Sequence, residues 1–126
     1  MKKILYLYPI IVCLIFITSC VTVPSYPPRI NVAGELHSRI TIEDYVSTIS
    51  RSKTLEVQVS VKNETTRPLR LDYSVDWKDG RGISVRSILT GWNTITLRPG
   101  IIENLIFTAP NENVVEYQIY LERSRR

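Results

Sequence analysis

Alternating apolar and polar residues in the middle of the chain predict two long β-strands. Residues 55–62 and 69–78 keep a period of two, with every second side chain apolar. Side chains of a strand alternate between its two faces, whereas a helix would scatter the same residues around its axis. Each run therefore predicts a strand with one apolar face. Pro68 ends the intervening loop because proline cannot donate to a strand ladder, and the two strands form a hairpin or cross between sheets.

Four further segments have strand character and are bounded by turn residues. They are residues 83–88, 92–97, 101–108 and 115–121. The turn Asp79-Gly80-Arg81-Gly82 precedes the first of them, because Asp-Gly suits backbone positions with positive φ. We expect the last strand to turn four side chains inward: Val115, Tyr117, Ile119 and Leu121.

Residues 40–50 carry two conflicting signals. Their apolar side chains fall at helical spacing, and Thr41 with Asp44 resembles a helix-capping pair. However, the segment consists largely of Ile, Thr, Tyr and Val, which favour strands. We interpret it as a strand with a break near Asp44, and helix is the alternative.

Short strands, closely spaced turns and the lack of a convincing helical pattern predict an all-β fold. About seven strands in about 95 residues is the scale of an immunoglobulin-like antiparallel β-sandwich. A small barrel is the main alternative. About 100 residues can bury one core but not two, so residues 30–126 form a single domain.

The N-terminal segment has the layout of an export signal. Lys2 and Lys3 precede an uncharged apolar run, residues 4–17, and Ile17-Thr18-Ser19-Cys20 follows. This tetrapeptide resembles the lipobox of bacterial lipoproteins. The resemblance implies that residues 1–19 are a cleaved signal peptide and that Cys20 carries acyl chains. The alternative is a retained transmembrane helix, since residues 4–23 carry no charge.

Both interpretations keep the basic start inside the cell and place the rest of the chain outside the cytoplasm. Val21, rather than an aspartate, follows the cysteine, so the resemblance implies lipid anchoring in the outer membrane, facing the periplasm. Residues 20–29 then form a tether, because Pro24, Pro27 and Pro28 favour extended polyproline geometry. The stretch from Val21 to Arg29 would hold the domain roughly 25 Å from the bilayer at about 3.1 Å per residue.

Charge and cysteine content limit the possible functions of the exported part. Loss of residues 1–19 removes Lys2 and Lys3 but no acid, so the net charge falls from +4 to +2. Such a small net charge does not favour nucleic-acid binding. The arginines near the C-terminus are interpreted as a solvated tail. Cys13 leaves with the signal and Cys20 is consumed by lipid, so no disulfide is expected.

The sequence predicts no catalytic residue, no metal site and no cofactor. His37 is the single histidine, too few for zinc, and an exposed position is expected for it. Asp72 and Asp76 lie on the polar face of one strand, separated by about 13 Å at roughly 3.3 Å per residue. The glycosylation sequon Asn63-Glu64-Thr65 is interpreted as a turn.

Three aromatic residues are candidates for core packing or for partner contact. Trp77 is in register with the apolar face of its strand, so it belongs to the core. Trp92 follows Gly91 and is interpreted as core, with an exposed anchor for a partner as the alternative. Tyr120 faces outward on the last strand, which makes it a second candidate for partner contact.

Several stretches, in this order and spacing, resemble a YcfL-like lipoprotein domain. They are residues 55–63, residues 71–79 followed by Gly82, Trp92, residues 97–100, residues 109–110 and residues 117–121. The resemblance runs from about Arg39 to Arg123, in addition to the lipobox. It implies a compact β-sandwich on a lipid anchor, in a family whose biochemical role is not established.

These observations favour a non-enzymatic envelope lipoprotein that acts as a binding or accessory module. The alternative, from the gene neighbourhood of such lipoproteins, is a regulator that docks on a peptidoglycan synthase in the periplasm. A third class is an enzyme, which a deep cleft lined by polar residues would favour. A flat sheet edge or an aromatic patch would favour docking.

Overall fold

The chain folds as two facing β-sheets with seven strands, described for residues 29–88 and 91–125 in a computed structural model. The strands are β1 Ile30–Val32, β2 Ile40–Ile49, β3 Leu55–Asn63, β4 Leu69–Asp79, β5 Asn93–Leu97, β6 Ile102–Thr108 and β7 Val114–Arg123. One turn of 3-10 helix, Gly34–Leu36, follows β1. Across this part of the chain, no helix has the length and apolar character needed to span a bilayer.

The strands form one four-stranded and one three-stranded sheet. Their orders are β1-β7-β4-β5 and β2-β3-β6. The long strands β3 and β4 belong to different sheets, so the chain crosses between sheets at residues 64–68 instead of making a hairpin. The all-β sandwich of seven strands predicted from the sequence is therefore confirmed.

The core lies between the two sheets and is built from the alternating apolar positions. β3 contributes four buried side chains at every second residue: Leu55, Val57, Val59 and Val61. Trp77 of β4 is buried as predicted, and its ring meets that of Tyr117 in β7 edge to face, 6.3 Å between centroids. Leu36 of the 3-10 helix is fully buried and adds to the same core.

The first strand departs from the antiparallel expectation. β1 pairs in parallel with β7, with Ile30 opposite Ile119 and Val32 opposite Leu121. A parallel pair requires a long connection between its strands, and here the connection passes through the other sheet. The sequence gives little signal for β1 because three residues are too few to establish a period of two.

Residues 83–88 do not form the predicted strand. They make a single bridge, between Ser84 and Lys78, and the amide of Val85 donates to the carbonyl of Trp77 at 2.7 Å. Gly82 adopts a φ of +79°, which bends the chain out of the ladder after the turn. The predicted number of strands is correct, but β1 replaces this segment.

Two strands contain irregularities in their pairing. The register of β2 against β3 shifts between Ile42 and Asp44, which confirms the strand with a break that the sequence predicted.

The register of β7 against β4 shifts so that Val114 lies opposite Asp79 and Glu116 opposite Lys78. Val115 has no partner in this bulge and is 56% exposed, whereas Val114 is 4% exposed. The inward position predicted for Val115 is therefore wrong, and Val114 takes it.

Candidate functional site

Trp92 and Tyr120 lie on the same outer face of the four-stranded sheet. Asn93 pairs with Tyr73, whose side chain points into the sandwich, so Trp92, one residue earlier, points to the opposite side. Tyr120 pairs with Ser74 on that outer side. The Trp92 side chain is 56% exposed and Tyr120 is 36% exposed. The core position favoured for Trp92 is therefore wrong, and its alternative as an exposed residue describes the structure.

A pair of carboxylates accompanies the two aromatic side chains. Asp72 of β4 lies directly opposite Glu122 of β7, and the Asp72 carboxylate accepts a hydrogen bond of 2.5 Å from the hydroxyl of Thr94. A depression of about 290 Å³ is lined by Asp72, Trp92, Thr94, Glu122 and Arg125. We call the surface formed by these five residues and Tyr120 the aromatic–acidic face.

The aromatic–acidic face is suited to binding. Like charges directly opposite each other in a sheet are unfavourable, so a cationic group between Asp72 and Glu122 would be stabilised there. Arg125 at the rim supplies one such group within the chain. Trp92 and Tyr120 add rigid apolar area with polar tips, the combination that is enriched at protein interfaces.

A second concavity opens at the side of the sandwich, between β4 and β6. It has a volume of about 330 Å³, and Val75, Trp77 and Ile106 contribute to its apolar lining. Tyr73 and Phe107 meet there edge to face, with 5.7 Å between ring centroids. This groove exists because β5 pairs with β4 only as far as Tyr73, which leaves the next residues of β4 without a strand neighbour on that side among the residues described. Its lining is shared between the two sheets, so the groove is part of the packing of the sandwich.

Asn63 is a buried polar residue that the sequence analysis did not single out beyond the sequon. Its side-chain amide donates to the carbonyls of Arg67 and Leu97, each at 2.9 Å. Its side-chain oxygen accepts from the amide of Thr65 at 2.9 Å and from the hydroxyl of Thr65 at 2.7 Å. The sequon is therefore a turn, as predicted, and its asparagine holds that turn against the end of β5. The Asn-x-Thr pattern itself was the available signal, because Asn and Thr favour such local turns.

Asp79 organises the turn that follows β4. Its carboxylate accepts hydrogen bonds from the backbone amides of Arg81, at 2.9 Å, and Ile83, at 3.1 Å. The guanidinium of Arg81 also lies 3.0 Å from the same carboxylate. The Ile83 amide, followed by the Arg81 guanidinium, holds the pKa of Asp79 below its ordinary value. This arrangement stabilises the turn and does not create an acid or base for catalysis.

The remaining candidate residues do not assemble into a site. His37 is exposed, directly after the 3-10 helix. Asp72 and Asp76 lie on the outer face of β4, while Asp79 belongs to the turn. In the part of the chain that the structure describes, no three Asp, Glu, His or Cys side chains are grouped closely enough to hold a metal ion. The predicted signal peptide, Cys20 and tether residues 21–28 lie outside the described residues. Arg29, the last residue of the predicted tether, is described, and its carbonyl accepts a hydrogen bond from the amide of Ile119.

The fold and this surface define a small β-sandwich protein with an exposed aromatic–acidic face, and comparison with known proteins places it in a family. The chain belongs to the DUF1425 family, proteins of unknown function, whose family model matches residues 29–123. The match covers every strand of the sandwich. No curated protein matches the chain.

Two solved structures share the fold. The crystal structure of cj0090 from Campylobacter jejuni has a TM-score of 0.67 and 17% sequence identity, over 78% of this chain and 100% of that one. A DUF1425 family member from Shewanella sp. pv-4 has a TM-score of 0.60 and 16% identity, over 69% of this chain and 80% of that one. At these identities the similarity concerns the fold alone.

Proposed function

We propose that this chain is a lipid-anchored, non-enzymatic lipoprotein of the bacterial cell envelope that binds a partner protein through the aromatic–acidic face. The observation that carries the proposal is the exposure of Trp92, at 56%, directly before β5 on the outer side of the four-stranded sheet. Burial of a tryptophan against a partner removes a large apolar area from water, and such residues dominate binding energy at interfaces.

The charge on this face indicates the chemistry of the partner. The cross-strand pair of Asp72 and Glu122 lies in the same depression as Trp92. A lysine or arginine of the partner can neutralise the pair while its stem or guanidinium stacks on the indole ring. We therefore propose a partner that presents a basic residue next to apolar surface.

The lipid anchor is supported by the N-terminal sequence. Lys2, Lys3, the apolar run 4–17 and the motif ending at Cys20 have the order of a lipoprotein signal. Acylation of Cys20 would hold the sandwich at the membrane, because two or three acyl chains give stable anchoring where one does not. The outer membrane, facing the periplasm, is the proposed location.

Site-specific photo-cross-linking in cells tests the binding face. A photoreactive phenylalanine analogue, which keeps an aromatic ring at the position, replaces Trp92 or Tyr120, and the matched control replaces Val46, an exposed residue of β2 in the other sheet. We expect a defined cross-linked partner from positions 92 and 120 and none from position 46. Mass spectrometry of the product identifies the partner, and recovery of a peptidoglycan synthase would select the docking regulator as the specific function.

The same experiment can contradict the proposal. Equal cross-linking from all three positions, or a defined partner from position 46 alone, would remove the aromatic–acidic face from the account. As a second arm, Trp92→Ala should reduce cross-linking from position 120 about tenfold or more while the fold is retained, because the side chain is exposed.

A further inference from the structure

The point at which the anchoring segment joins the sandwich is fixed at the middle of β7. The amide of Ile119 donates to the carbonyl of Arg29 at 2.8 Å, and Ile30 lies opposite Ile119. The Arg29 guanidinium lies 5.3 Å from the centre of the Tyr117 ring and 3.5 Å from the Glu116 carboxylate. Arg29 therefore holds the start of β1 against β7 through both its backbone and its side chain.

The direction of β1 determines which end of the sandwich faces the anchor. Because β1 runs parallel to β7, the chain that precedes Ile30 points toward Val114, the first residue of β7. Three turns meet at that end: residues 50–54, 79–83 and 109–113. The Ala109 amide donates to the Leu55 carbonyl at 2.8 Å, and a depression joins the last two turns. We call these three turns the anchor-side end.

The length of the chain before β1 brings this end close to the membrane. Ten residues separate Cys20 from Ile30, so Cys20 can lie at most about 35 Å from the start of β1 at roughly 3.3–3.6 Å per residue. β7 itself extends about 16 Å from Ile119 to Val114, toward the anchor-side end. At most about 19 Å is therefore left beyond the strands, and the three turns extend into that distance. If Cys20 is acylated, as the proposed function holds, the turn tips lie within about one Debye length, 8–10 Å, of the lipid surface.

The side chains of the anchor-side end match an anionic phospholipid surface. Arg51 and Lys53 are exposed in the first turn, and Glu112 is exposed in the third. Arg81 of the second turn is exposed but lies 3.0 Å from the Asp79 carboxylate, so the basic charge available to lipid comes from Arg51 and Lys53. Three exposed apolar side chains accompany them: Ile49, Ile83 and Val115. Basic residues beside apolar ones are the combination that favours the membrane interface. We infer that the anchor-side end rests on the phospholipid surface and that the aromatic–acidic face is thereby held at the side of the domain, open to a partner.

Nitroxide accessibility on vesicles tests this inference. The lipoprotein is expressed from the full-length gene with Ile83→Cys at the anchor-side end or Thr66→Cys in the opposite β3–β4 loop. A nitroxide spin label is attached to the introduced cysteine. It is reconstituted in vesicles of phosphatidylglycerol and phosphatidylcholine, or of phosphatidylcholine alone. A water-soluble paramagnetic reagent should reach the label at position 83 several-fold less than the label at position 66 when phosphatidylglycerol is present. Equal accessibility, or protection of position 66, would overturn the inference.

Charge-reversal variants provide a matched control. Arg51→Glu with Lys53→Glu should restore accessibility at position 83, whereas Arg67→Glu with Arg123→Glu, at the opposite end, should not. Restoration by both pairs would contradict a specific contact at the anchor-side end. Vesicle flotation separates the two proposals. Protein that does not float with the vesicles contradicts both the lipid anchor and this inference. Protein that floats, but whose labels at positions 83 and 66 are equally accessible, contradicts this inference alone.

Discussion

Asn63 joins the two sheets at the top of the sandwich through backbone groups of three segments. Its side chain bonds residues of the β3–β4 loop and the last residue of β5, and its own carbonyl accepts from the amide of Gly100 at 2.9 Å. It is fully buried, and its four side-chain bonds satisfy both ends of the amide. Buried polar groups without partners are costly, so this residue determines how the chain crosses between the sheets.

Asn63→Ala should destabilise the sandwich by about 2–4 kcal/mol, because it removes the buried amide that donates to the carbonyls of Arg67 and Leu97 and accepts from Thr65. Chemical denaturation measures this difference in the free energy of unfolding. The control is Asn104→Ala, whose exposed side chain accepts one bond, from the Ser60 hydroxyl, and whose loss should cost about 0.5 kcal/mol or less. Equal effects of the two substitutions would contradict the role given to Asn63.

Asp79 makes stability depend on pH in a defined direction. Because its pKa is lowered in the folded protein, it stabilises the fold above its ordinary pKa of about 4, and this contribution is lost as the pH falls through the lowered value. The melting temperature of Asp79→Asn should therefore lie below that of the native chain at pH 6, and the gap should narrow below about pH 4.

The Arg81→Gln variant separates the two causes of this shift. It should retain part of the pH dependence, since the Ile83 amide, the larger cause, still donates to the carboxylate. A gap between Asp79→Asn and the native chain that stays constant from pH 6 to pH 3 would contradict this account of the turn.

At the scale of elements, a period of two identified β3 and β4, whereas a local turn and a long-range pairing determined two segments that the pattern did not predict. β3 and β4 alternate over enough residues for the pattern to be unambiguous. Residues 83–88 have strand-forming composition, but the turn organised by Asp79 and Gly82 directs them away from the ladder. The three residues of β1 form a strand because they pair with the edge of β7. This pairing depends on residues that lie far away in the sequence.

The bulge in β7 gives a direct test at this scale. Val114→Asp places a carboxylate in the core and should destabilise the sandwich by about 2 kcal/mol or more, because Val114 is 4% exposed. Val115→Asp should change stability by about 0.5 kcal/mol or less, since that side chain is exposed in the bulge. If the two effects were reversed in thermal denaturation, β7 would have the uninterrupted register that alternation predicts.

At the scale of the whole molecule, sheet order brings together residues that the sequence separates. Trp92, directly before β5, and Tyr120, on β7, lie on the same face because β4 pairs with β5 on one side and β7 on the other. The sequence identified both residues as candidates but left Trp92 between core and surface, since only the partner of Asn93 determines its side. The fold class was predictable from patterns, whereas the aromatic–acidic face required the strand order.

The proposed lipid anchor would hold this face and the anchor-side end at the membrane, and the functional account depends on it. Intact mass spectrometry of the protein recovered from the membranes of a bacterial host expressing the full chain tests it directly. The account predicts a polypeptide that begins at Cys20 and carries the mass of acyl chains, and a Cys20→Ser variant without them. A polypeptide that still begins at Met1 and carries no acyl chain would contradict it.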